Sequence, residues 1–191
     1  MIDLGDVVRA MGRAVEAKGL YEQAIASWEA EDKEAPTKER RDLWLLRMIR
    51  RHGLALHDLG DFAGAATDVR RSLALWDGMP ARWGYDVFET ACCHAALAGL
   101  AGRAGSGVST AEGEAETGKA MEALGRAVAM GYRSANEMRI ESALDSLRSR
   151  EDFRLLMSDL TFPADPFPSR MDDDFRPVPA PLIGTVPGEK P

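Results

Sequence analysis

The residues of this chain best suited to chemistry are two adjacent cysteines and a histidine, Cys92-Cys93-His94. Thiolate and imidazole groups can bind zinc or act as nucleophiles. Consecutive positions on a helix point about 100° apart, however, and no second group of Cys and His in the sequence completes four ligands. Adjacent cysteines also cannot pair without deforming the backbone. We therefore expect two free thiols packed within a helix.

Three further groups contain residue types that bind metals or phosphate, but none has the spacing of a binding site. His52 and His57 are five residues apart, which departs from the four-residue spacing that lets two helical histidines share a metal. The glycine-rich stretch 101–108 lacks the lysine and Ser/Thr of a phosphate-binding loop. The run Asp172–Asp174 has no spaced partners for a cation and is expected to be solvated. We expect no catalytic residue, no cofactor and no metal, and hence a protein that is not an enzyme.

The elements that position these residues are helices arranged as a repeat. Within each unit two apolar-periodic helices are expected to meet at a glycine turn, and such units must stack to bury their apolar faces. A first helix over residues 3–17 is expected to end at Gly19 and to bury one apolar face: Leu4, Val7, Val8, Met11, Ala14 and Val15. A second helix is expected over about 21–34. The repeat itself is a 41-residue offset that matches Gly12, Gly19, Tyr21, Ala24 and Trp28 with Gly53, Gly60, Phe62, Ala65 and Val69.

The remaining helices follow from periodicity and from capping residues. Helices are expected over about 38–59 and 62–76, a third unit begins at Tyr85, and 101–108 is a flexible insertion. Ser109 and Ser134 each precede a glutamate by three residues and predict helix starts. The last helix covers about 151–160. The predicted organisation is an array over 1–160 and a disordered tail over 161–191, with units at about 4–36, 38–80 and 85–131 and capping helices at 135–160.

The tail prediction rests on composition. Eight of the ten prolines in the chain lie between Pro163 and Pro191. Proline-rich segments with few apolar residues cannot bury enough surface to fold and adopt extended conformations.

The first unit resembles the tetratricopeptide repeat (TPR) family. That family has a glycine in the first helix, an aromatic residue after the turn glycine, a small residue in the second helix and a closing proline. In this chain those features are carried by Gly12, Gly19, Tyr21, Ala24, Trp28 and Pro36. The resemblance implies an all-α, right-handed superhelix with a concave groove that binds another protein. The family period is 34, and the seven extra residues here make about two helical turns, which keeps the buried face in register.

A narrower resemblance is carried by several short blocks: Ala91–His94, Arg126–Tyr132, Leu144–Arg148, Phe153 and Phe162–Phe167. In this order they are similar to the carboxy-terminal repeat region of large bacterial serine/threonine kinases. The resemblance implies a regulatory module or a truncated remnant of such a kinase, which is the alternative to a free-standing scaffold. The catalytic motifs of a kinase are absent from this sequence.

The TPR resemblance also implies which residues face the groove, and these include Asp6 of the first unit, Leu54 of the second and Glu89 of the third. Also among the groove-facing residues are four arginines and a histidine: Arg9, Arg13, Arg47, Arg50 and His57. Guanidinium forks match carboxylate and phosphate geometry, so this set predicts an acidic or phosphorylated peptide ligand. The alternative is that the arginines are solvated and pair with Glu16, Glu39 or Asp42 on their own helices.

Charge and hydropathy limit the class of partner. The formal net charge of −7 argues against a nucleic-acid binder, which carries a basic excess. The longest apolar run is too short to span a membrane and contains His94. The expected protein is a cytoplasmic scaffold for a protein or peptide partner, either acidic or a kinase.

Overall fold

In the computed structural model, residues 2–30, 38–77, 79 and 83–162 are described, and over these ranges the fold is all-α, as predicted. By its contacts the chain divides into Met1–Thr161 and Phe162–Pro191. The predicted tail, from residue 163 onward, and the closing prolines Pro36 and Pro80 lie outside the described ranges. The helices are α1 (Ile2–Ala10), α2 (Ala14–Ala30), α3 (Lys38–Asp58), α4 (Phe62–Asp77), α5 (Gly84–Gly99), α6 (Thr110–Ala129), α7 (Ala135–Ile140), a 3₁₀ helix (Ser142–Leu147) and α8 (Glu151–Thr161).

Sequential helices pack as three hairpins. Helix α1 packs on α2, α3 on α4, and α5 on α6, while α2 contacts α3 and α4 contacts α5 to join one hairpin to the next. The 3₁₀ helix packs on α5, and α8 contacts α6 and α7. The main core lies between α5, α6 and this carboxy-terminal layer, where Phe88, Leu124, Leu144 and Leu147 are fully buried. None of the helices described is long and apolar enough to cross a lipid bilayer.

Several element boundaries match the sequence prediction. Helices α3, α4 and α8 each end within one residue of the expected position. The Ser109 side chain accepts a hydrogen bond from the Glu112 amide at 3.1 Å, and Ser134 accepts one from Glu137 at 3.4 Å, so both predicted N-caps are confirmed. The sequence predicts these helix starts because a serine side-chain oxygen accepts a hydrogen bond from a first-turn amide that has no partner within the helix.

The first hairpin differs from the prediction. Helix α1 ends at Ala10, and the turn lies at Gly12, whose φ is +77°, whereas Gly19 lies inside α2. No continuous helix covers 3–17, so its expected apolar face does not form. Val8 is buried, but four of the expected core residues are exposed: Leu4, Val7, Met11 and Val15.

The two amino-terminal hairpins are equivalent at an offset of 48 residues, not 41. At each turn the glycine amide donates to the carbonyl three residues back, Gly12 to Arg9 at 2.9 Å and Gly60 to His57 at 3.0 Å. In both turns the next amide donates to the carbonyl five residues back, which completes a Schellman motif. The 41-residue register was therefore wrong. The offset of 48 instead matches Gly5 with Gly53, Ala17 with Ala65, Tyr21 with Val69, and Trp28 with Trp76.

The glycine-rich segment 101–108 is a hydrogen-bonded loop, where a flexible insertion was expected. The Gly102 amide donates to the Val108 carbonyl at 3.1 Å and closes the loop. Ser106 and Val108 are buried, and Arg70 of α4 donates to the Gly107 carbonyl at 3.1 Å. Three glycines with positive φ, at 102, 105 and 107, allow this fold.

Alanine substitutions at Gly12 and Gly19 should shift stability in opposite directions. We expect Gly12→Ala to lower the free energy of unfolding by about 1–2 kcal/mol, because a Cβ is strained at positive φ. Gly19→Ala should raise it by about 0.5–1 kcal/mol, since Gly19 is inside a helix with no atom within 4 Å of a new Cβ. Urea unfolding followed by circular dichroism measures both changes in the free energy of unfolding. A gain for Gly12→Ala together with a loss for Gly19→Ala would instead support the 41-residue register.

Candidate functional site

At the centre of the array lies a guanidinium with no solvent exposure. Arg50 of α3 is fully buried, and its charge is met by Glu89 of α5 and by Glu141, which lies between α7 and the 3₁₀ helix. Its Nη2 lies 2.9 Å from Glu89 Oε2, and its Nη1 lies 3.2 Å from Glu141 Oε1. This cluster, called here the Arg50 network, joins segments that are 39 and 91 residues apart in sequence.

Both carboxylates of the Arg50 network have additional donors. Glu89 Oε1 accepts the Tyr85 hydroxyl at 2.6 Å and lies 3.0 Å from Arg47 Nε in an ion pair. Glu141 Oε1 also accepts the Ala143 amide at 3.1 Å, which caps the 3₁₀ helix. Buried charges are tolerated only when paired and hydrogen-bonded in this way.

The electrostatics of the Arg50 network keep all three groups ionised. Burial opposes each charge, but Glu141 and Glu89 together hold the pKa of Arg50 well above its usual value. Burial likewise raises the pKa of Glu141, yet the Arg50 guanidinium outweighs it and lowers that pKa to about 2. For Glu89, Arg50 and Arg47 overcome the effect of burial, so its pKa is also lowered.

Arg50 therefore stabilises the fold and cannot contact a partner, because its side chain has no solvent-exposed surface. Arg47 is also turned inward: its guanidinium lies over the rings of Trp44 and Tyr85, with centroids at 4.8 and 5.0 Å, beside Glu89. The two arginines that sequence placed in an open groove thus surround one buried carboxylate. A signal for this existed, since Glu89 occupies a groove position of the next unit, whereas nothing in the sequence pointed to Glu141.

The other three predicted groove residues lie apart from this network. Arg9 Nε lies 2.7 Å from Asp58 Oδ2, and its Nη1 donates to Ser142 Oγ at 2.9 Å. Arg13 is exposed, lies just before α2 and is 2.5 Å from Glu16 of that helix, one of the partners that the alternative interpretation named. The His57 ring lies 5.5 Å from the Phe62 ring.

The cysteines are confirmed as free and buried. Burial raises the pKa of the Cys93 thiol to about 12 and that of Cys92 above its ordinary value. Both thiols therefore stay protonated at neutral pH, and a protonated buried thiol is a poor nucleophile. The neighbouring His94 Nδ1 lies 2.5 Å from Glu116 Oε2, which links α5 to α6.

An open cleft of about 460 Å³ lies between α1, α3 and the α7–3₁₀ segment. Of the groove positions that the TPR resemblance gives, Asp6, Arg9 and Leu54 line it. Sequence reasoning missed the rest of the lining, because the proximity of those residues depends on where α7 and the 3₁₀ helix lie relative to α1 and α3. The lining residues are Asp6, Val7, Arg9, Ala10, Arg51, Leu54, Asp58, Glu137, Ile140, Glu141 and Ser142.

Exposed apolar side chains from two different helices line the cleft. Val7 of α1 is 57% exposed and Ile140 of α7 is 80% exposed, while Leu54 of α3 is buried at its lining. Solvent-exposed apolar surface in a concave site is typical of a binding cleft.

Comparison with known proteins yields no relative: no family model, no curated protein and no solved structure matches this chain.

Removing Arg50 should be far more damaging than removing an exposed arginine. We expect Arg50→Met to lower the free energy of unfolding by about 3–5 kcal/mol, because Glu89 and Glu141 would be left buried without a counter-charge. Arg13→Met, at an exposed pair, should change it by less than about 1 kcal/mol. Urea unfolding compares the two, and similar losses would show that the Arg50 network contributes no special stability.

Acid should remove the contribution of Glu141. Its pKa is lowered from 4.5 to about 2 in the folded protein, so its stabilisation is full above pH 4.5 and is lost as pH falls toward 2. Glu141→Gln keeps an acceptor for Ala143 but lacks the charge. The stability advantage of wild type over this variant, measured by urea midpoints, should shrink as pH falls through that window. A constant difference would contradict the ionised state of Glu141.

Proposed function

We propose that this protein is a non-catalytic, TPR-like scaffold that binds a segment of a partner protein in the cleft between α1, α3 and α7. The carrying observation is the pair of exposed apolar side chains, Val7 of α1 and Ile140 of α7, that line the same open cleft. A peptide that buries both would gain about 1.5–3 kcal/mol from each fully buried side chain.

Support for the TPR-like architecture comes from small residues at the helix contacts. A Cβ at Gly53 would lie 3.2 Å from the Ala65 carbonyl oxygen, so α3 and α4 approach closely at that point. In the first hairpin, a Cβ at Gly5 would lie 2.6 Å from the Tyr21 ring. A glycine in the first helix is one of the features of the family, and Gly5 and Gly53 supply it here in place of Gly12, which lies in the turn.

The charges of the cleft favour a ligand that carries a cation. Three of its four carboxylates already have an arginine: Asp6 has Arg51, Asp58 has Arg9, and Glu141 has Arg50. Glu137 accepts only the neutral Tyr132 hydroxyl, at 2.8 Å, and within the described ranges no cation pairs with it.

We therefore expect the bound segment to combine an apolar side chain with a lysine or arginine. This proposal differs from the acidic ligand expected from sequence, because Arg9, Arg47 and Arg50 are each held by a carboxylate of this chain. Absence of enzyme activity, a cytoplasmic location and association with a kinase stay predictions.

Selection of random displayed peptides on the full chain tests the cleft directly. Enriched peptides should share an apolar residue and a basic residue. Their affinity, measured by fluorescence polarisation, should fall about tenfold or more for Val7→Ala/Ile140→Ala, because the buried apolar area is lost. Glu137→Gln should weaken peptides that contain the basic residue and leave their neutral analogues unchanged.

A matched control is Val15→Ala/Leu155→Ala, which removes the same kind of exposed apolar group elsewhere on the surface. That variant should bind as wild type does. Failure to enrich any peptide, or full affinity in Val7→Ala/Ile140→Ala, would refute the cleft as the binding site.

A further inference from the structure

A second concave site lies at the carboxy-terminal end of the array, and its charge is opposite to that of the cleft. This pocket of about 370 Å³, called here the arginine pocket, lies between α7, the end of the 3₁₀ helix and α8. No acidic residue lines it, although the chain as a whole carries a charge of −7. The lining consists of three arginines, two buried or half-buried apolar side chains and two hydroxyl residues: Arg139, Arg148, Arg154, Phe153, Met157, Ser158 and Thr161.

Two of the three guanidiniums in the arginine pocket have only neutral partners. Arg139 Nη1 donates to Asn136 Oδ1 at 2.8 Å, and Arg154 Nε donates to the Arg150 carbonyl at 3.4 Å. Neither makes an ion pair with any residue of the described ranges. Arg148 differs, because it pairs with Asp145 at 2.6 Å and also donates to the Glu141 carbonyl at 3.1 Å.

The contacts of Arg148 give the pocket one fixed cation. Its Nε and Nη2 are both hydrogen-bonded, which orients the guanidinium plane, while no residue of the described ranges bonds to Nη1. A guanidinium held in place loses little conformational entropy when it binds an anion. Arg139 and Arg154 are exposed and approach from the helices on either side.

We propose that the arginine pocket binds a phosphorylated serine or threonine of a partner protein. Two guanidiniums that have no ion pair within the described ranges match the charge of about −2 that a single phosphoryl group carries at neutral pH. Arginine forks bind phosphate oxygens through paired, charge-assisted hydrogen bonds. Phe153 and Met157 supply apolar surface for the residue beside the phosphate. An aspartate or glutamate carries only one negative charge, so a carboxylate ligand would need two such residues at a fixed spacing to match the charge of one phosphoryl group.

The test uses short degenerate peptides that have one fixed central residue: phosphoserine, serine or glutamate. The full chain should bind the phosphoserine peptides and bind the serine and glutamate peptides at least about tenfold more weakly, as loss of charge-assisted hydrogen bonds implies. Binding should strengthen between pH 5 and pH 7, because the second ionisation of the phosphoryl group lies near about 6. Fluorescence polarisation at a fixed salt concentration measures each case.

Two variants with the same change in formal charge locate the site. Arg139→Gln/Arg154→Gln should lose about tenfold or more in affinity for the phosphoserine peptides. Arg126→Gln/Arg133→Gln removes two exposed arginines outside the pocket and should bind as wild type does. The substituted side chains are all exposed, so circular dichroism should report folded protein in both.

Four results would overturn the proposal: no binding of the phosphoserine peptides, equal loss in both variants, equal binding of serine peptides, or equal binding of glutamate peptides. The last would identify a carboxylate ligand. None of these outcomes depends on Val7, Glu137 or Ile140, so failure here leaves the proposal for the cleft unaffected.

Discussion

The burial of Arg50 is the constraint on which the rest of the structure depends. A guanidinium without solvent contact is tolerated only with full pairing, so α3 must meet α5 and the α7–3₁₀ segment at the same point. Apolar contacts alone would let helices slide by a turn at modest cost. The two carboxylates, which lie 39 and 91 residues away in sequence, leave only one register. A hydrophobic triad of similar volume could be as stable, but it would fix that register less strictly.

The same network explains why the open surfaces carry the charges they do. Arg47 and Arg50 form ion pairs with Glu89, Arg50 also pairs with Glu141, and Arg9 pairs with Asp58. These three arginines therefore stabilise the fold. What is left in the cleft is apolar surface and one carboxylate, Glu137, that has no cation partner within the described ranges. At the pocket between α7 and α8 the balance reverses, because Arg139 and Arg154 have no carboxylate within the described ranges. The short segment from α7 to α8 therefore contributes to two surfaces of opposite charge.

The repeat shows where sequence matching can mislead. Gly5, Gly12 and Gly19 are spaced by seven residues, so two glycine pairs of equal spacing compete for the match with Gly53 and Gly60. Tyr21 after Gly19 imitates Phe62 after Gly60, which favoured the wrong pair. The hydrogen bonds at Gly12 decide the question, because only a residue at positive φ closes a Schellman turn, and Gly19 is in a helical interior.

The sequence by itself determined the helical class, the bounds of α3, α4 and α8, the serine caps, and the burial of Cys92 and Cys93. Each of these depends on neighbours within a few residues, through periodicity or a local hydrogen bond. The sequence also identified the arginines as candidate site residues, but it did not identify the carboxylates that pair with them. Whether Arg50 lies in a groove or in the core, and whether Val7 and Ile140 line the same cleft, was decided by the tertiary structure alone. Those outcomes depend on segments up to 133 residues apart, as the contact of Arg9 with Ser142 shows, and no local pattern encodes them.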